Sequence, residues 1–259
     1  MSCFLFNEIV FGPVLSRRLG ISLGINLLPV NKKLCTFDCI YCECGWSIKP
    51  IENHMNFHLL EDVKSALELK LKTMHSEGQE LDNITYAGNG EPTLHPDFKS
   101  IMLHLVMLRK KYYPKAHISV LTNGSTLSNI SVIEALNMAE FPIIKLDTGS
   151  EELFRAINQP LVNIKRADIV ELAKDAHISN KVIQTLFLRG TYAGKNIDNT
   201  NSKEVESWLR DIEYIKPHSV MIYSIARKTP AKDLFKVDTE ELEAIADKVR
   251  ALGIPTNTY

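Results

Sequence analysis

An α/β fold built on a parallel sheet is what this chain predicts, and three observations carry the prediction. From Leu60 onward, stretches with helical periodicity alternate with short runs of strand length. Those runs are continuously apolar, as expected of parallel strands covered on both faces. Six such runs are too few to close an eight-stranded barrel. Right-handed crossovers place every strand C-terminus on one face, where the active sites of such folds gather.

The first run, about Gly20–Leu28, leads directly into a cysteine-rich loop. A helical stripe of Val63, Ala66, Leu67, Leu71 and Met74 precedes the second run, Asn83–Ala87. The next three runs are His117–Leu121, Ile143–Leu146 and Val182–Leu188. Val205, Trp208, Leu209, Ile212 and Ile215 form the stripe ahead of the sixth, Ser219–Ile225. A last helix carries Leu242, Ile245, Ala246, Val249 and Leu252. Asn201 with Glu204, and Asp238 with Glu241, are capping-box-like pairs that mark two helix starts. Five of the six strands are thus preceded by helices. Phe4–Val10 and Ile254–Tyr259 read as edge strands. Residues 1–259 read as one domain, with a core of about 20–252 and an N-terminal extension of 1–19.

Composition is that of an ordinary globule, 45% hydrophobic and 24% charged, without repeats or low-complexity tracts. Lys+Arg 30 against Asp+Glu 31 does not advertise the basic face that phosphate binding needs. The local clusters Arg17-Arg18, Lys32-Lys33 and Arg109-Lys110-Lys111 read as solvated faces. Nothing at the N-terminus resembles a secretory signal, and no run is long enough to span a bilayer. The expected compartment is the cytoplasm, where thiols stay reduced.

Cys35-Thr36-Phe37-Asp38-Cys39-Ile40-Tyr41-Cys42 puts three cysteines at a C-x3-C-x2-C spacing in one short loop. Such convergence points to a metal site, and the odd total of 5 cysteines speaks against a disulfide framework. A 4Fe–4S cluster is normally held by four thiolates. Three leave one iron open, as catalytic zinc sites keep a position open for chemistry. Two alternatives stand beside this. One is a zinc knuckle of Cys39, Cys42 and Cys44 with His54 or His58. The other is a set of inert buried thiols.

The spacing, with an aromatic residue just before the last cysteine, resembles the signature of the radical S-adenosylmethionine (SAM) enzymes. That resemblance implies an open (β/α)6 partial TIM-type barrel with short additions at both ends. It implies a 4Fe–4S cluster on Cys35, Cys39 and Cys42, with SAM on the free iron and Tyr41 alongside. In that superfamily an electron from the cluster cleaves SAM to methionine and a 5′-deoxyadenosyl radical. A donor such as flavodoxin or ferredoxin is implied as partner. Gly88-Asn89-Gly90-Glu91, at the end of the second strand, looks like the Gly-Gly-Glu element that holds the SAM amino group, although a tight turn is the ordinary meaning of Gly-x-Gly. Thr122 and Asn123, at the end of the third, match the polar contacts to its carboxylate or ribose; a turn with φ > 0 is the alternative there.

Lys145 and Asp147 share one face of the fourth strand. They are read as ribose or carboxylate contacts to SAM or as a mutual ion pair inside the barrel. Gln184 and Tyr223 either fill the barrel or meet the adenine. The stretches Phe11–Gly20, Ser22–Asn26 and Ala156–Pro160 narrow the likeness to the branch that holds the tRNA wyosine-base synthases and uncharacterised Fe–S oxidoreductases. That branch implies a nucleobase, free or in tRNA, as substrate; Trp46 in the Gly45–His58 segment reads as a surface for stacking a base or as a packing anchor. Peptide or small-molecule substrates are the alternative, as is a non-catalytic Zn- or Fe–S-binding protein. Cys3 is the only cysteine upstream of the motif, so the second cluster of the wyosine-base synthases is not expected. Cysteines are also missing after Cys44, which argues against a peptide-modifying enzyme with C-terminal auxiliary clusters.

Overall fold

The computed structural model describes residues 4–47 and 57–259. Their elements run β1 (Val10–Ser16), β2 (Gly20–Ile25), α1 (Leu60–Ser76), β3 (Asn83–Tyr86), α2 (Phe98–Tyr112), β4 (His117–Thr122), α3 (Ile130–Leu136) and β5 (Phe141–Lys145). They continue with α4 (Glu151–Ile157), α5 (Arg166–Asp175), β6 (Val182–Tyr192), β7 (Lys195–Asp198), α6 (Ser202–Ile215), β8 (Ser219–Ser224), β9 (Leu234–Lys236), α7 (Thr239–Arg250) and β10 (Thr256–Thr258). The sheet path is β1-β2-β3-β4-β5-β6-β8-β10. From β2 to β10 every neighbour on that path is parallel. The six expected strands are therefore adjacent and in chain order, an open α/β sheet of the partial-barrel kind. The C-terminal tail joins as the seventh parallel strand, at the edge where it is expected.

The expected strand Phe4–Val10 is not formed. The edge strand is β1, which starts at Val10 and runs antiparallel to β2. Gly12 and Pro13 sit in a register shift between Phe11 and Val14. Edge strands and bulges are where a sheet tolerates proline, which has no N–H to give to a ladder. β6 also outruns its expected end at Leu188. It continues to Tyr192 and turns at Ala193-Gly194, with φ of 51° and 76°, into β7. Two positive φ values in a two-residue loop match the twist of a hairpin. Asn201 and Asp238 cap α6 and α7 as expected, accepting from the N–H groups of Glu204 and Glu241. Glu204 does not reach back to its cap; it accepts from the Gly149 and Ser150 N–H groups at 2.9 and 3.0 Å.

The two faces of the sheet differ in chemistry. Leu23, Ile25, Ile84, Ile118, Val120 and Ile144 pack with Leu67, Phe98, Leu105 and Trp208 of the helices into the main core. Successive strand residues point to opposite faces. The alternate positions are Ser22, Asn83, Thr85, Ser119, Lys145, Gln184 and Tyr223, so the runs are not covered by apolar side chains on both sides. Near the foot of that second face, Ile143, Val182 and Met221 form a small separate cluster with Leu19, Leu121, Phe141 and Tyr259. No helix among the described residues is long and apolar enough to cross a membrane.

Candidate active site

The cysteine loop lies over the C-terminal ends of the parallel strands, strung between two supports by backbone hydrogen bonds. On one side Leu34 N–H donates to Asn89 O at 2.8 Å and Glu91 N–H donates to Leu34 O at 3.0 Å. On the other, Asp38 N–H donates to Asn158 O at 3.1 Å and Ile40 N–H to Ile157 O at 2.9 Å. Ile40 is fully buried and anchors the loop among Ile157, Leu186, Leu188 and Ile197. The loop is thereby fixed relative to the ends of β3 and α4, and Cys35, Cys39, Cys42 and Cys44 are half-buried in it.

A buried cation sits among those thiols. The Lys33 side chain is 2% exposed; its ammonium lies 3.6 Å from the Asp38 carboxylate and donates to Gly45 O at 3.0 Å. Burial opposes its charge, but the Cys42, Cys35 and Cys39 thiolates and Asp38 outweigh that and raise its pKa. Burial pushes Cys35 up, and Cys39 up to about 11, with Lys33 opposing both. Cys42 is lowered, first by the hydrogen bond from the Cys44 thiol and then, against burial, by Lys33. Amide N–H groups also approach the sulfurs, Asn123 Nδ2 at 3.5 Å from Cys35 Sγ and Asn158 Nδ2 at 3.5 Å from Cys39 Sγ. Three thiols, a buried ammonium and two amide donors suit an anionic thiolate-bound cluster. Among the described residues no three His, Cys, Asp or Glu side chains gather closely enough for a single metal ion. A 4Fe–4S cluster takes one thiolate per iron and so needs its ligands further apart.

The glycine loop after β3 meets the cysteine loop directly. At Gly90, φ is +138°, and a Cβ there would lie 1.8 Å from Leu34 O. Only glycine permits that approach. Gly88 O accepts from the Cys44 thiol at 3.3 Å. Asn89 turns inward: its carboxamide accepts from Phe6 N–H at 2.9 Å and donates to Phe6 O and Pro29 O at 2.8 and 2.9 Å. Glu91, 1% exposed, accepts from Asn123 N–H at 2.7 Å and from the Thr93 hydroxyl at 2.6 Å. Burial raises its pKa, and those hydrogen bonds oppose the rise. Both side chains therefore tie the strand ends together. Thr122 accepts from Gly124 N–H at 3.1 Å. Asn123 donates to Thr36 Oγ1 at 2.8 Å, which places it against the cysteine loop.

Lys145 and Asp147 form the mutual pair, 2.9 Å apart, with side-chain exposures of 15% and 0%. Asp147 also accepts from the Tyr41 hydroxyl, from Asn158 Nδ2 at 2.8 Å and from Leu186 N–H at 2.9 Å. Lys145 Nζ donates to the Tyr223 hydroxyl at 2.9 Å and lies 4.7 Å from the Tyr223 ring centre. Burial works against the lysine's charge, and Asp147 and Tyr223 raise its pKa in spite of it. Gln184 is buried on the same face, its amide 4.0 Å from Met221 Sδ. A polar lane thus runs from Tyr223 through Lys145 and Asp147 to Tyr41 and Cys39.

Three members of this arrangement escape a reading of the sequence. Asn158 is signalled only by its place in Ala156–Pro160. Arg18 and Lys33 sit in basic pairs that read as solvated faces, yet Lys33 is enclosed and Arg18 lies 4.5 Å from the Tyr223 ring centre. In the third basic cluster, Arg109 pairs with Glu140 at 3.0 Å and Lys111 with Glu68 at 3.7 Å. Trp46 is 37% exposed beside Tyr192, ring centres 6.0 Å apart. Cys3, His54 and most of the Gly45–His58 segment lie outside the described residues.

The Radical SAM superfamily model matches residues 33–194. A protein named GTPase Obg from Brachyspira hyodysenteriae is 30% identical over 234 residues, 90% of this chain and 32% of that one. A UPF0026 protein of Helicobacter pylori is 38% identical over 154 residues, 59% of this chain and 46% of that one. The chain thus spans half or less of the length of these relatives. The structure of TYW1 with a lysine–pyruvate adduct bound shares the fold, with a TM-score of 0.61 at 15% identity over 89% of this chain and 73% of that one. The family's chemistry rests on a 4Fe–4S cluster with three Cys ligands and on SAM. With three cysteines at the strand ends and the family model matched across them, the chain belongs to the radical SAM superfamily.

Proposed function

We propose that Cys35, Cys39 and Cys42 each ligate one iron of a 4Fe–4S cluster, and that the chain uses SAM to abstract hydrogen from a nucleobase, free or within tRNA. The observation that carries the cluster assignment is the cysteine loop held over the strand ends, with the Lys33 ammonium buried beside Asp38 and two amide donors 3.5 Å from the Cys35 and Cys39 sulfurs. When bound, the cluster supplies the electron that cleaves SAM to methionine and a 5′-deoxyadenosyl radical. Lys33 offsets the negative charge of the thiolates, and Asn123 and Asn158 direct N–H groups at two sulfurs. Of the glycine loop's carbonyls, that of Gly90 is the one suited to the SAM amino group, because Gly88 O already accepts from the Cys44 thiol and Gly90 N–H, and Asn89 O from Leu34 N–H. Asn89 and Glu91 act by holding that backbone in place. Asp147 fixes Tyr41 and Lys145 at the wall of the chamber.

The nucleobase reading is supported by the resemblance to the wyosine-base synthase branch and by the Trp46–Tyr192 ring pair beside the cysteine loop. Stacking on aromatic side chains is how unpaired bases are bound. The pairing of Arg109 with Glu140 and of Lys111 with Glu68 turns that basic cluster inward rather than toward a phosphate backbone. The reading is tested by anaerobic reconstitution followed by reductant, SAM and chromatography. Roughly four irons per chain and formation of 5′-deoxyadenosine are expected; a colourless zinc protein overturns the assignment. For the substrate, modified nucleosides are compared in tRNA from cells with and without the gene. An unchanged nucleoside profile, with no salt-dependent tRNA binding, removes tRNA as substrate.

A further inference from the structure

Arg18 stands at the turn between β1 and β2, and its role here rests on the proposed function, in which the polar sheet face is the chamber where substrate meets SAM. The guanidinium leaves the hairpin and lies over the Tyr223 ring, 4.5 Å from its centre. The next residue, Leu19, packs with Ile143, Val182, Met221 and Tyr259, so the turn folds in against the foot of the chamber. Nη1 of Arg18 is buried and has no hydrogen-bond partner among the described residues. A buried donor without a partner is unfavourable, and one on a charged group more so. The other cation at Tyr223, Lys145, is already matched by Asp147 at 2.9 Å. The lane therefore carries one uncompensated positive charge, at the end away from the cysteines. Guanidinium is a planar fork that matches an oxyanion through two parallel N–H groups.

We propose that Arg18 anchors a singly charged oxyanion of the substrate, a carboxylate or a phosphodiester, at the foot of the chamber. The substrate then lies along the Tyr223–Lys145–Asp147 lane, its anionic end on Arg18 and its reacting end toward the cysteine loop. Arg17, exposed in the same turn, has no part in this.

The test is thermal unfolding of the reconstituted protein in acetate and in dimethyl phosphate, each against chloride at equal ionic strength. One of the two is expected to raise the wild-type midpoint by roughly 2–4 °C near tenfold excess over its dissociation constant, and which one does so identifies the source of the oxyanion. Arg17→Met should keep that rise and Arg18→Met should lose it, with SAM affinity equal in all three proteins. Where Arg18→Met is insoluble, Arg18→Lys decides: loss of at least half of the rise is expected, and a full rise overturns the proposal. The proposal also fails if neither probe moves the wild type, if Arg18→Met responds as wild type does, or if Arg18→Met binds SAM less tightly. 5′-Deoxyadenosine formation without substrate, measured on the same samples, reports separately on the radical SAM assignment.

Discussion

On β4, Ile118 and Val120 point toward the helices and are fully buried in the main core. Ser119 between them points the other way, and its hydroxyl has no hydrogen-bond partner among the described residues. The same contrast recurs on β5, where Ile144 joins the main core and Lys145 faces the polar lane. One side of the sheet stabilises the fold by removing apolar surface from water. The other retains polar groups whose burial is unfavourable unless they are paired or meet a ligand. Stability and chemistry are thus assigned to alternate residues of the same strands.

That division can be broken in four ways. The largest effect is expected above the polar face: Cys35→Ala, Cys39→Ala and Cys42→Ala should each abolish the cluster, while Cys44→Ala and Cys3→Ala keep it. Iron per chain after anaerobic reconstitution is the measurement; equal loss from Cys44→Ala would move the third ligand to Cys44, whose thiol bonds to Gly88 O. On the helix side, Trp208 is 1% exposed, meets Phe187 edge-to-face at 5.4 Å and donates to Leu146 O at 3.2 Å. Trp208→Ala should lower stability by about 3–5 kcal/mol in denaturant unfolding, with SAM affinity of the folded protein unchanged.

Asp147 tests whether the two sides are separable at all. Asp147→Ala strips a buried carboxylate from Lys145, Tyr41 and Asn158 and should destabilise by about 3 kcal/mol while leaving the cluster in place. Lys145→Met should cost less, since that side chain keeps 15% exposure. A loss of SAM affinity without loss of stability would instead make Asp147 a cofactor ligand. The smallest effect is expected at Ser119. Ser119→Ala removes an unpaired buried hydroxyl and should leave stability within roughly 0.5 kcal/mol of wild type, or above it. A large fall in SAM cleavage from that variant alone would identify the hydroxyl as a ligand contact.

Much of the scaffold was legible because strands and helices leave periodic marks: all six barrel strands were placed by their apolar runs, and Asn201 and Asp238 marked two helix starts. The edge strand forms later than the expected Phe4–Val10, because an edge position lets β1 run through Gly12-Pro13 as a bulge. The alternation on the inner face was hidden as well. Single polar residues in short apolar runs, such as Ser119 or Gln184, carry no sign of which face they take. The cofactor was legible where its ligands are neighbours in sequence, in Cys35–Cys42. The site was illegible where distant segments meet, as when Asn158 reaches Asp147 and Cys39, and Arg18 reaches Tyr223.

By itself the sequence determined the cysteine spacing, the α/β order and the pair of charges at the end of β5, because each depends on residues a few positions apart. Tertiary structure decided what those residues do. It enclosed Lys33 beside Asp38 and the cysteine loop, and gave the Asn89 and Glu91 side chains their partners at Phe6, Pro29 and Asn123. Burial and pairing are properties of the assembled barrel, and no window of the chain encodes them alone.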